Sequence, residues 1–140
     1  MCIRDSVTLI DDSYNANPES MNAAIATLGA RASGRKIAVL GDMFELGREE
    51  LELHAALAEP LQKAGVSRVI VTGECMRALK GSLPRSMRGA WCRDWEAAFG
   101  ALRSELQDGD TVLIKGSNAT GLGRLVAAIR KEQKGVADVL

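Results

Sequence analysis

Short runs of apolar, often β-branched residues alternate along this chain with longer segments whose apolar residues recur at helical spacing. That alternation limits the available folds more than any other feature. The runs fall at residues 7–10, 37–40, 69–71 and 112–114, with a weaker one at 90–92. Their near-continuous apolarity suits strands buried on both faces, as in a parallel sheet covered by helices. Between them, Met21, Ala24, Ile25 and Leu28 mark one helical stripe and Leu51, His54, Ala58 and Leu61 a second. Ala97, Ala98, Ala101 and Leu102 mark a third, and Leu122, Leu125, Val126 and Ile129 a fourth, while a shorter helix is expected over 74–80. The first helix has a defined start, with Asn17 as N-cap, Pro18 at the first helical position and Glu19 in the first turn. It is expected to end at Gly29 or Gly34. Strands and helices in this order predict an α/β fold with right-handed crossovers.

The 140 residues are enough for one domain with its own core, without disulfides or a structural metal. Lys plus Arg and Asp plus Glu balance at 18 each, which argues against a domain that neutralises phosphates along a duplex. Five aromatics, Tyr14, Phe44, Trp91, Trp95 and Phe99, are too few for a stacking platform on single strands. Cys2, Cys75 and Cys92 form no Cys-x-x-Cys pair and have only His54 to complete a metal set, so neither a disulfide framework nor a zinc site is expected. A reducing cytoplasm is the expected compartment. No apolar run approaches the roughly 20 residues of a membrane span, and residues 1–6 lack the apolar region of a signal peptide. These six residues fit no element and are expected to be a non-native leader. The domain proper is expected over 7–131, with residues 132–140 a frayed tail.

In an open parallel sheet, ligands bind beyond the carboxyl ends of the strands. The loops expected there are 11–18, 41–47, 72–74, 93–94 and 115–121, and Tyr14 and Phe44 lie in the two longest polar ones. The first joins Asp11 and Asp12 to an Asn-capped helix start, whose N–H groups and dipole favour a phosphate or carboxylate. Asn15 and Asn17 could equally serve only turn and cap. In the last loop Lys115 directly follows a buried strand, and glycines then allow close backbone approach. His54 reads as a partly buried structural residue, Cys75 and Cys92 as packing residues without a neighbouring base, and Trp91 and Trp95 as packing residues. Gly116 and Gly121 have P-loop spacing, but Leu122 and Gly123 stand where Lys and Ser/Thr are required. The dinucleotide fingerprint fails as well, because Gly121-Leu122-Gly123 continues into Arg124, Leu125 and Val126.

Three segments taken in order are more specific: Asp11-Asp12-Ser13-Tyr14-Asn15-Ala16-Asn17-Pro18-Glu19-Ser20-Met21, Gly41-Asp42-Met43-Phe44-Glu45-Leu46-Gly47, and Lys115-Gly116-Ser117. Together they closely resemble the C-terminal domain of the Mur ligase family, in the branch that uses D-alanyl-D-alanine. The resemblance implies a Rossmann-like three-layer sandwich with a mostly parallel sheet of about six strands. It also implies one lobe of a cytoplasmic, ATP- and Mg²⁺-dependent ligase of peptidoglycan synthesis, which joins D-alanyl-D-alanine to UDP-N-acetylmuramoyl-tripeptide through an acyl phosphate. N-terminal and central domains would bind the UDP-sugar peptide and carry the P-loop. Neither is present here, so the chain alone is expected to be inactive. By resemblance, Asp12, Tyr14, Asn15 and Asn17 face the nucleotide or metal-bound water. Lys115, Ser117 and Asn118 lie near the dipeptide, with Lys115 stabilising charge at the reaction centre. Asp42 and Glu45 either touch ligand or shape their loop, and Asn118 stands where many relatives have Arg. Two other readings compete. A free-standing nucleotide- or anion-binding module would use the same rim without catalysis. A receiver domain would share Asp11, Asp12 and Lys115, but Thr72-Gly73-Glu74 follows the third strand and supplies no acceptor Asp.

Overall fold

The strands β1 (Val7–Asp12), β2 (Lys36–Gly41), β3 (Arg68–Thr72), β4 (Arg88–Cys92), β5 (Thr111–Lys115) and β6 (Val136–Val139) pair into one sheet in the order β4-β3-β2-β5-β1-β6. All five ladders are parallel. The computed structural model describes residues 7–13, 16–31, 34–44, 46–132 and 136–139. The leader expected at 1–6 lies outside the described residues. Residues 136–139, inside the segment expected to fray, pair with β1 from Val7↔Val136 to Ile10↔Val139. β1 would otherwise present an open row of N–H and C=O groups on that side.

Helix α1 (Pro18–Gly29) begins as its sequence predicts. Asn17 is extended, its Oδ1 accepts from Ser20 N at 2.8 Å, and Ser20 Oγ accepts from Asn17 N at 3.0 Å, which closes a capping box. The helix ends at Gly29, where a Cβ would stand 2.9 Å from Ala64 Cβ. The second stripe is not one helix but two, α2 (Glu50–Ala55) and α3 (Ala58–Lys63). Pro60 explains the break: it has no N–H, and its ring excludes a helical carbonyl four residues earlier, at Ala56. Leu51, placed on the buried stripe by its spacing, is instead 55% exposed. The remaining helices are α4 (Met76–Ser82), α5 (Trp95–Glu105) and α6 (Leu122–Glu132). The full fourth stripe of α6, Leu122, Leu125, Val126 and Ile129, is buried, whereas α5 buries Ala98 and Leu102 and leaves Ala97 exposed.

Strand residues alternate between two cores. Ile10, Ala38, Leu40, Val69, Val71 and Leu113 join α1 to α4 on one face, and Val7, Leu9, Ile37, Val39, Val112 and Ile114 join α5 and α6 on the other. Each fully buried Leu, Ile or Met contributes about 1.5–3 kcal/mol relative to exposure. The arrangement also sets a topological switch point. β1 and β2 are each followed by a helix on the first face, while β5, which lies between them, is followed by α6 on the second. Connections that diverge from neighbouring strands open a crevice at the carboxyl edge. The order further separates this sheet from a receiver, whose flavodoxin-like arrangement is 2-1-3-4-5.

Candidate active-site rim

The crevice gathers the three motif segments, since β1, β5 and β2 are neighbours and their ends are in register. Asp12 pairs with Lys115, and Leu40 with Lys115 on the other side. Lys115 is fully buried, and its Nζ donates to Asp12 Oδ2 at 2.6 Å. Asp12 is a third exposed and reaches the rim. Asp11 points to the opposite face, where its Oδ1 accepts from Ser13 N (3.2 Å) and Ser13 Oγ (2.7 Å), and Oδ2 lies 3.4 Å from Arg130 of α6. Nothing in the sequence flags Arg130, which stands 119 positions away from its partner.

Asn17 holds the cap. Pro18 has no N–H, Ser20 N is taken by Asn17 Oδ1, and Met21 N donates to Asn17 O at 2.8 Å. Much of the donor capacity that the sequence offered to an anion is therefore used inside the helix. Tyr14, Asn15 and Glu45 lie outside the described residues, as does the side chain of Asn118.

Ser117 follows β5 at the same edge. Its carbonyl accepts from Thr120 N (3.0 Å) and Thr120 Oγ1 (2.7 Å), which folds 118–120 into a turn. Its own Oγ is buried without a hydrogen-bond partner among the described residues. Leaving such a hydroxyl unpaired costs about 1–3 kcal/mol. Close packing seats this turn: a Cβ on Gly116 would come within 2.8 Å of Leu122 Cδ1 and Thr120 Oγ1, and one on Gly41 within 2.8 Å of Thr120 Cγ2.

Asp42 shapes the fold. It is 7% exposed, and its carboxylate accepts from Cys75 N (3.2 Å) and Met76 N (2.9 Å), so it caps α4 from a distant loop. The helix therefore starts at Met76, two residues after the position expected from periodicity. Burial raises the Asp42 carboxyl above the ordinary carboxylate range, against the lowering effect of the two N–H groups. His54 is completely buried rather than partly so. Its Nε2 accepts from Met43 N at 2.9 Å and its Nδ1 faces Glu50 O at 2.5 Å, a pattern that requires the neutral ring with the proton on Nδ1. Together with Cys75 these residues form a cluster whose ligand atoms lie within 4.8 Å of one another. Spacing along the chain gave no sign of it. A metal there would have to displace one of the two backbone partners of the His54 ring and compete with two backbone N–H groups for the Asp42 carboxylate. Burial, followed by the negative charge of Asp42 and Glu50, raises the Cys75 thiol, which opposes a nucleophilic role. The indoles pack as expected: Trp91 Nε1 donates to Gly73 O at 2.8 Å under the Arg77 guanidinium, and Trp95 lies against Gly121. Among the described residues, no helix is long and apolar enough to cross a membrane.

Comparison with known proteins matches residues 1–118 to the family described as Mur ligase, glutamate ligase domain. The chain is 37% identical, over an alignment 149 positions long, to the UDP-N-acetylmuramoyl-tripeptide–D-alanyl-D-alanine ligase of Mycobacterium tuberculosis, covering 89% of this chain and 29% of that protein. It is 33% identical to the Escherichia coli enzyme of the same name, with 92% and 28% covered. The fold superposes on a solved MurF ligase from Thermotoga maritima in complex with ADP, with a TM-score of 0.77 at 30% identity, covering 92% of this chain and 29% of that one. The chain thus spans less than a third of the length of these relatives.

Proposed function

Because the chain belongs to the Mur ligase family, we propose that it acts as the C-terminal, closing domain of a ligase that adds D-alanyl-D-alanine to UDP-N-acetylmuramoyl-tripeptide in cytoplasmic peptidoglycan synthesis. The observation that carries this reading is the meeting of three segments at the carboxyl edge of three adjacent strands. Asp12 stands at the end of β1, Lys115-Gly116-Ser117 at the end of β5, and Gly41-Asp42 at the end of β2. Family membership supports reading these segments as ligase machinery, and the divergent connections around β5 favour a crevice there.

The residues present suit ATP on the closing side of a shared site. Asp12 offers acceptor oxygens to nucleotide hydroxyls or to metal-bound water, with Tyr14, Asn15 and the Asn17 cap alongside it in the sequence. Buried Ser117 Oγ, which has no partner among the described residues, offers a hydroxyl to the dipeptide side, next to Asn118. ATP would activate the tripeptide carboxylate as an acyl phosphate, the species that the amine of D-alanyl-D-alanine attacks. Mg²⁺ and the triphosphate would be held mainly by a central P-loop domain, since this chain has no P-loop sequence.

The test joins this chain to the N-terminal and central domains of a MurF relative. Ligation of D-alanyl-D-alanine to the UDP-sugar tripeptide is then followed by mass spectrometry. ATP-dependent product that disappears when this domain is omitted supports the proposal. An inactive fusion, or activity indifferent to the domain, overturns it.

A further inference from the structure

Lys115 ends β5 with its side chain entirely buried, on the sheet face covered by α1, beside Asp12 of β1. An ammonium group in that position needs a carboxylate, because an unpaired buried charge costs several kcal/mol. The parallel register supplies one at 2.6 Å. The two partners differ in access: Asp12 is a third exposed, whereas Lys115 has no exposed side-chain surface. A ligand arriving at the rim therefore meets the carboxylate, with the lysine behind it. With no exposed surface of its own, Lys115 meets a ligand at the rim only if the groups that cover it move aside.

We propose that Lys115 is a positioning residue that acts through Asp12. It fixes the carboxylate's orientation at the mouth of the crevice and does not itself stabilise charge at the reaction centre. The inference rests on the reading above, in which Asp12 faces the nucleotide. It makes the two residues a single functional unit on the ATP side of the site, although Lys115 belongs to the segment that resemblance places near the dipeptide.

Lys115→Met keeps the length and apolar stem while removing the charge. Asp12→Asn removes the partner's charge, and the double variant leaves no buried charge unpaired. In the active fusion described above, Lys115→Met is expected to raise KM for ATP by about tenfold or more and to leave KM for D-alanyl-D-alanine within about twofold. In the Asp12→Asn background it should add no more than about twofold, because the carboxylate through which the lysine acts is already gone. If Lys115→Met does not fold, Lys115→Gln and the double variant carry the same comparison. A rise in KM for the dipeptide with KM for ATP unchanged, or losses that multiply in the double variant, would overturn the inference while leaving the ligase reading intact. A wild-type fusion that does not ligate overturns both.

Discussion

Gly73 is where the sheet edge, the Asp42 loop and the start of α4 meet, and Gly73→Ala tests whether that junction holds as described. Gly73 has φ = +108°, a region that L-residues enter at a cost of about 1–2 kcal/mol. A Cβ there would also lie 2.3–2.5 Å from the Asp42 carboxylate. That carboxylate cannot swing away freely, since Cys75 N and Met76 N hold both its oxygens. Displacing it forfeits two hydrogen bonds to a charged group, each worth about 1.5–3 kcal/mol. Much of that loss is offset, because Asp42 is an acid that burial already disfavours in its ionised form and that would regain water. The sum is a destabilisation of about 2–4 kcal/mol. With an m-value near about 2 kcal/mol/M for a chain of this size, the urea midpoint should fall by roughly 1–2 M at unchanged slope. Gly100→Ala is the internal control. It lies inside α5, and an added methyl would meet nothing within 4 Å, so this change should gain about 0.5–1 kcal/mol. A Gly73→Ala chain within about 0.5 kcal/mol of wild type would refute the junction.

Arg35→Ala breaks a pair with Asp110, which is 1% exposed and held at 3.0 Å. Because Arg35 is itself 27% exposed, the loss should be about 2–3 kcal/mol rather than the full ~3–5 of a wholly buried pair, whereas Lys63→Ala in the exposed pair with Glu59 should stay within about 0.5 kcal/mol by urea unfolding. His54→Ala should cost about 3–4 kcal/mol through its cavity and the lost bond to Met43 N, and hydrogen exchange should show the Met43 amide losing protection. Burial raises both the Cys75 and Cys92 thiols, so the native chain holds these protons more tightly than the unfolded one, and stability should fall as pH climbs past the ordinary thiol range. By the same shift, peptide mapping should find Cys75 alkylated more slowly at neutral pH than a free-thiol reference, and faster in Asp42→Asn.

Local patterns carried much of this protein. A run such as 112–114 or a stripe such as Leu122, Leu125, Val126 and Ile129 states its own period, because side-chain direction repeats with the backbone and burial follows it. The Asn17-Pro18 start of α1 was equally legible, since every partner in that cap lies within three residues. The ordered segments beginning at Asp11, Gly41 and Lys115 carried the family resemblance. Where the second stripe misled, Pro60 had the physical reason in it, but a period that continues across a break does not show which side chains stay buried.

Tertiary structure decided what these pieces do to one another. Nothing local says that β5 lies between β1 and β2, because strands of similar apolarity can pair in many orders. Yet the pairing of β5 with β1 in that order puts Lys115 beside Asp12, 103 residues away, and turns a lysine that could have ended its strand in solvent into a buried partner. The same holds for Asp42, whose sequence left ligand contact and loop shaping both open and which caps a helix 34 positions further on. Composition and period set how each segment folds and which face it buries. Strand order and register set which charges meet, because they bring together side chains that lie far apart along the chain.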